Sequence, residues 1–186
     1  MYLLRDALPG SPRGARSLNP ARSVRLLVCG TAERGDDGAA LSAVAGLLSG
    51  LPPDLLRVME VRRCEQLDLE DLLDLPDSTA CVITDAVVGL PVGQVVTIPL
   101  CELPKRDAAA GPIPRSSHAL PIGQLVAIAQ VMREQPLAGS FVGIGGRSFG
   151  FGRALGRPVR AALPAYRSAI EAALIDAAAA TESRTI

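Results

Sequence analysis

Val24-Arg25-Leu26-Leu27-Val28-Cys29-Gly30-Thr31-Ala32-Glu33-Arg34-Gly35-Asp36-Asp37-Gly38 is the stretch from which the fold can be read. Val24 to Cys29 is a short apolar run ending at Gly30, the pattern of a buried strand. Beyond the loop, Leu41, Val44, Ala45 and Leu48 recur at helical spacing until Gly50 and Pro52 close the segment. The opening unit is therefore strand, loop, helix.

Working outward, Leu55–Val61 reads as a second strand and Leu67–Leu75 as a short helix whose Asp68, Glu70, Asp71 and Asp74 form a solvated face. Ala80–Val87 and Gln94–Leu100 read as further strands, joined by Gly89-Leu90-Pro91-Val92-Gly93 as a hairpin that gives the sheet an antiparallel edge. Leu103–Arg115 has no period and reads as a loop. A helical stripe follows at Leu125, Ile128, Ala129 and Met132, then a fifth strand, Ser140–Gly145. Five glycines between 145 and 156 form a free-turning segment before Pro158 opens the last helix, which Pro164 is expected to kink or restart. Alternating strands and helices predict an α/β three-layer sandwich: a five-stranded, twisted, mostly parallel sheet with helices on both faces.

The length of 186 residues fits one domain, expected over residues 24–180, with residues 1–23 a disordered extension and 181–186 a frayed tail. Trp is absent and aromatics make up 3%, so the core rests on Leu, Val, Ile and Ala. Nineteen basic and nineteen acidic side chains cancel, which argues against nucleic acid as a partner. No stretch has the length of a membrane span and no secretory h-region opens the chain, so a cytoplasmic location without a membrane partner is expected. Cys29, Cys64, Cys81 and Cys101 are too dispersed for a zinc knuckle, and Cys29 and Cys81 are expected to be buried, reduced thiols.

The loop Gly30–Gly38 has the glycine spacing of a phosphate loop, but Asp36 and Asp37 stand where such a loop carries Lys and Ser or Thr. Their charges repel phosphate and attract cations. Read locally, one caps the helix and the other complements its dipole; two adjacent acids also leave one free to reach a ligand. Asp85 ends the apolar strand Cys81-Val82-Ile83-Thr84, where ligands gather in open α/β sheets, although a strand-end Asp also serves the following turn. His118, the only histidine, follows Ser116 and Ser117 just before a helix, whose dipole favours the neutral, metal-binding imidazole. If Asp37, Asp85 and His118 meet at one sheet edge, they form an open site for a borderline metal such as nickel or zinc. Gly146-Arg147-Ser148-Phe149-Gly150 matches G-x-S-x-G, but no histidine follows Ser148 as a serine hydrolase of that type requires.

The order of Gly30 to Gly38, Thr84-Asp85-Ala86-Val87 with Gly89, Ser116-Ser117-His118-Ala119-Leu120, and Val142-Gly143-Ile144-Gly145 leading to Phe149-Gly150 resembles the hydrogenase maturation protease family from about Val24 to Leu174. The resemblance implies an endopeptidase that removes the C-terminal extension of a nickel-iron hydrogenase large-subunit precursor once nickel is inserted. It assigns metal-binding and catalytic roles to Asp37, Asp85 and His118, which would engage nickel carried by the substrate. Thr31 stands where Asn usually follows the first glycine, Ala40 where Gly is often found, and Asp37 is a methylene shorter than the Glu of some relatives. These departures motivate a second reading, a non-catalytic assembly factor that binds the nickel-loaded precursor. A small-molecule hydrolase using Ser148 is a third.

Overall fold

The computed structural model describes residues 23–109 and 120–182. The expected extension over residues 1–23 falls, apart from Ser23, outside the described residues, and so does His118.

Strand β1, Val24–Cys29, lies inside the sheet and is apolar on both sides. Val24, Leu26 and Val28 enter one core and Leu27 and Cys29 the other, all at most 1% exposed. Full burial of each Leu or Val contributes about 1.5–3 kcal/mol, so this one strand anchors both layers. Strands β2 (Met59–Cys64), β3 (Ala80–Val87), β4 (Val95–Pro99) and β5 (Gly139–Gly145) complete a sheet of order β2-β1-β3-β5-β4. All neighbours are parallel except β4, which runs antiparallel to β5 at the edge.

Helices α1 (Ala39–Leu47), α2 (Pro53–Val58) and α6 (Arg157–Glu182) cover one face; α3 (Leu69–Leu73), α4 (Leu103–Ala109) and α5 (Ile122–Met132) cover the other. The expected three-layer architecture is what the chain adopts. Among the described residues no helix is long and apolar enough to cross a membrane.

Several local expectations are corrected. Leu55–Val58 is helical, because Pro53 opens a short helix that buries Leu55 and leaves Leu56 outside, and the strand starts only at Met59. The anticipated hairpin between β3 and β4 does not exist, since β5 inserts between them. Gly139 permits this insertion: with φ +124°, a Cβ there would lie 1.9 Å from the Cys81 carbonyl oxygen of β3. Leu103–Ala109 is a helix rather than a loop; the remainder of that expected loop, from residue 110, lies outside the described residues.

The helix faces also shift. In α1 the buried side is Ala40, Ala43, Val44 and Leu47, and in α5 it is Leu125, Val126 and Ala129, while Ile128 and Met132 are exposed. The acids of α3 do more than face solvent. Asp68 accepts the Leu69 N–H at 2.5 Å, and Asp71 accepts the Asp68 N–H at 3.1 Å while pairing with Arg62 at 3.3 Å. Finally, α6 runs through Pro164 without restarting, held on both sides of it by Val159, Leu163, Tyr166, Ile170 and Leu174 in the core.

Candidate functional site

The order β2-β1-β3-β5-β4 sends the chain away from β1 towards β2 and away from β3 towards β4. A crevice therefore opens between the carboxyl ends of β1 and β3, where open α/β sheets bind their ligands. Asp37 lies in the turn after β1, and Asp85 lies within the end of β3. Pairing of Val28 with Thr84 puts Asp85 beside Cys29, the residue that leads into the Gly30 loop.

That loop closes on itself. Gly30 adopts φ +112°, and the Thr31 N–H donates to Asp37 Oδ2 at 2.8 Å. The bond uses only the backbone of Thr31, so a Thr at this position leaves it intact. Asp37 is half-buried, and among the described residues no hydrogen bond engages its Oδ1. A Cβ at Gly30 would stand 2.1 Å from the Asp37 carbonyl oxygen. Gly30→Ala is therefore expected to combine backbone strain with a clash against rigid backbone and to lower stability by roughly 2–4 kcal/mol, read by urea denaturation. A cost below about 0.5 kcal/mol would show that this loop geometry is wrong.

Asp85 is half-buried and accepts the Ala86 N–H on Oδ1 at 2.7 Å. With Gln66, Leu67, Leu120 and Ile122 it lines a cleft of about 180 Å³ on the α5 side of the sheet. The backbone under it is pinned from the opposite face. Tyr166, 0% exposed on α6, hydrogen-bonds the Thr84 hydroxyl at 2.5 Å and donates to the carbonyls of Asp85 at 3.1 Å and Val142 at 3.3 Å. Burial raises the Tyr166 phenol far above its ordinary range, so it remains a neutral brace.

Asp36 has a different role from the helix cap or dipole partner expected of it. Its carboxylate, 1% exposed, accepts the N–H of Arg147 and of Ser148 on Oδ2, both at 2.9 Å, and that of Gly156 on Oδ1 at 2.7 Å. Its own N–H donates to the Ser148 carbonyl at 2.7 Å. Burial alone would raise its pKa, but the three N–H donors prevail and hold it below the ordinary aspartate value. Asp36 thus straps the glycine-rich segment after β5 to the turn that presents Asp37. Ser148, the serine of the G-x-S-x-G match, is held in this strap through its backbone.

The cysteines of the sheet strands, Cys29, Cys64 and Cys81, supply no nucleophile to the crevice. A hydrogen bond with Cys64, burial and the nearby Asp85 charge hold the Cys29 thiol well above its usual pKa. Cys64 is lowered by the same hydrogen bond, but it stands on edge strand β2 and does not line the Asp85 cleft. Cys81 is fully buried, which pushes it up to about 12. As expected, Cys29 and Cys81 are buried free thiols.

The structure thus brings Asp37 and Asp85 to the same end of adjacent strands. No group of three metal-ligating side chains exists among the described residues, which do not include His118. No family model matches the chain, and no curated protein sequence matches it. Solved structures do. The hydrogenase maturating endopeptidase HybD from E. coli aligns over 82% of this chain and 92% of its own at 21% identity, with a TM-score of 0.65. The [NiFe] hydrogenase maturation protease HybD from Thermococcus kodakarensis aligns over 78% and 94% at 21% identity, TM-score 0.57. HycI from the same organism aligns over 83% and 94% at 16% identity, TM-score 0.55. Over most of its length, this chain has the fold of the hydrogenase maturation proteases.

Proposed function

We propose that the protein is a cytoplasmic endopeptidase that removes the C-terminal extension of a nickel-iron hydrogenase large-subunit precursor after nickel insertion. The observation that carries this reading is the pair of carboxylates, Asp37 and Asp85, beside the switch-point crevice in a fold shared with proteins that mature hydrogenases. Leu120, two positions after His118 in sequence, lines the same cleft as Asp85. In this reading Asp37, Asp85 and His118 engage the nickel that the precursor carries, so the metal is part of the substrate and reports that insertion is complete.

The donor chemistry suits such an ion. Carboxylate oxygen and imidazole nitrogen are ligands of borderline divalent metals, and both carboxylates have one oxygen fixed by backbone, which orients the group. Asp37 and Asp85 are also the acids able to take a proton from an attacking water. The scissile peptide is then placed by the metal beside it, and a precursor without nickel is not positioned.

Intact-mass spectrometry tests this directly. Incubated with the protein, nickel-loaded precursor is expected to lose the mass of its C-terminal extension, and nickel-free precursor to keep it. Equal cleavage of both forms would overturn nickel recognition. Stable co-purification with the loaded precursor at unchanged mass would identify a non-catalytic assembly factor instead. His118→Ala should abolish cleavage, whereas a small-molecule hydrolase using Ser148 would survive that change and fail with Ser148→Ala.

A further inference from the structure

Between Gln135 and Ile170 the chain carries five arginines, at 147, 153, 157, 160 and 167, and no acid, although its net charge is zero. Arg147 and Arg153 line a groove of about 700 Å³, together with Asp36, Ser148, Phe149 and Val92. Arg34 adds to this basic edge from the loop after β1. Its guanidinium lies 5.0 Å from the centre of the Phe151 ring, and its Nε donates to the Phe149 carbonyl at 3.3 Å. Among the described residues none of Arg34, Arg147, Arg153 and Arg157 has an ionic partner, whereas Arg25, Arg57, Arg62, Arg106 and Arg133 each do.

The scaffold of this groove is rigid. Gly35 donates to the Arg153 carbonyl at 3.0 Å and Gly152 to the Glu33 carbonyl at 2.8 Å, in addition to the Asp36 bonds. The same bonds decide what kind of anion fits. A bound phosphate is usually cradled by backbone N–H groups, but those of Arg147, Ser148 and Gly156 are already taken by Asp36. Recognition is left to separate, exposed guanidinium groups interleaved with Phe149 and the 75%-exposed Phe151. Such an array suits carboxylates spaced along an extended peptide with apolar side chains between them.

We propose that this groove is a docking site for an acidic segment of the polypeptide substrate. The proposal rests on the endopeptidase reading. The groove adjoins the turn carrying Asp37, since its floor includes Asp36, the preceding residue. A segment held there is tethered next to the crevice, and an acidic segment is preferred over a basic one.

Fluorescence anisotropy of the full chain with fluorescein-labelled hexaglutamate tests this. Saturable binding is expected, weakening as salt is raised, with hexalysine not bound. Arg147→Glu combined with Arg153→Glu should weaken hexaglutamate at least about 10-fold, while Arg63→Glu, on the far edge strand β2, should change it less than about 2-fold. Melting curves of both variants should match the parent; if the double Glu variant is unfolded, Arg147→Ala with Arg153→Ala must give the same selective loss. Absent saturable binding, equal loss with Arg63→Glu, or tighter binding of a twelve-residue oligothymidylate would overturn the proposal. Hexaglutamate binding without precursor cleavage would sink the endopeptidase reading alone, and cleavage without hexaglutamate binding would sink the groove alone.

Discussion

Asp85→Asn is expected to slow precursor processing at least about 100-fold while moving the melting temperature by less than about 2 °C, and Asp37→Asn to do the same. The separation of these effects follows from geometry. Asp85 Oδ1 accepts the Ala86 N–H and Asp37 Oδ2 accepts the Thr31 N–H. An asparagine keeps a carbonyl oxygen for that bond, while the charge is lost and the second oxygen becomes an amide NH2. What disappears is the anion that would ligate the substrate's nickel or take a proton. Processing kinetics followed by intact mass, alongside calorimetric melts, check both halves. Parental rates in either variant would remove that carboxylate from the site, and a large fall in melting temperature would make it structural.

Asp36→Ala should instead be the most destabilising single change at these loops. Three part-buried N–H groups lose an anionic acceptor, at up to about 1–3 kcal/mol for each donor left unsatisfied. Allowing for partial relaxation, roughly 3–5 kcal/mol is expected, or a melting temperature lower by about 10 °C. The carboxylate's pKa is lower in the folded chain than in the unfolded one. Its contribution is therefore complete above the unfolded value, about pH 4, and is lost as pH falls through the lower folded value. Stability of the parent should drop in that acid window, and that of Asp36→Ala should drop less steeply. Urea titrations at pH 7, 4 and 3 measure it. Equal pH slopes in the two proteins would show that this carboxylate does not hold the strap.

The parts of the structure legible in the sequence are those fixed by local pattern. β1 and β3 fall on Val24–Cys29 and Ala80–Val87, the spans read from the sequence, because strands buried on both faces are continuous apolar runs with sharp ends. Leu55–Val58 reads as strand and is helix, because a short apolar run fits either element and Pro53 as a first helical residue decides it. The place of β5 between β3 and β4 is a tertiary fact that no local pattern carries, and the need for glycine at 139 is visible only once Cys81 lies beside it.

Of the candidate site, the placement of Asp37 and Asp85 at the crevice was legible because both follow or end apolar strands, and strand ends in such sheets are where ligands bind. Asp36 was not. A sequence reading weighs an acid at a helix start against nearby N–H groups, whereas its true partners lie 111, 112 and 120 positions away. The adjacent acid pair and the glycine cluster from 145 to 156 were both visible, but nothing local says that one serves the other.

That long span has a consequence for how the protein comes into being. A chain emerging from the ribosome can form β1 and its following turn early, but the carboxylate of residue 36 has no long-range donor until Arg147 and Ser148 have been made, and its set is complete only with Gly156. Closing so wide a loop is slow, and its entropic cost falls before any reward. The end of the sheet that carries Asp37 is thus completed only after residue 156 has been added. Fragments ending before residue 147 should lack an ordered turn there even if their first strands pair.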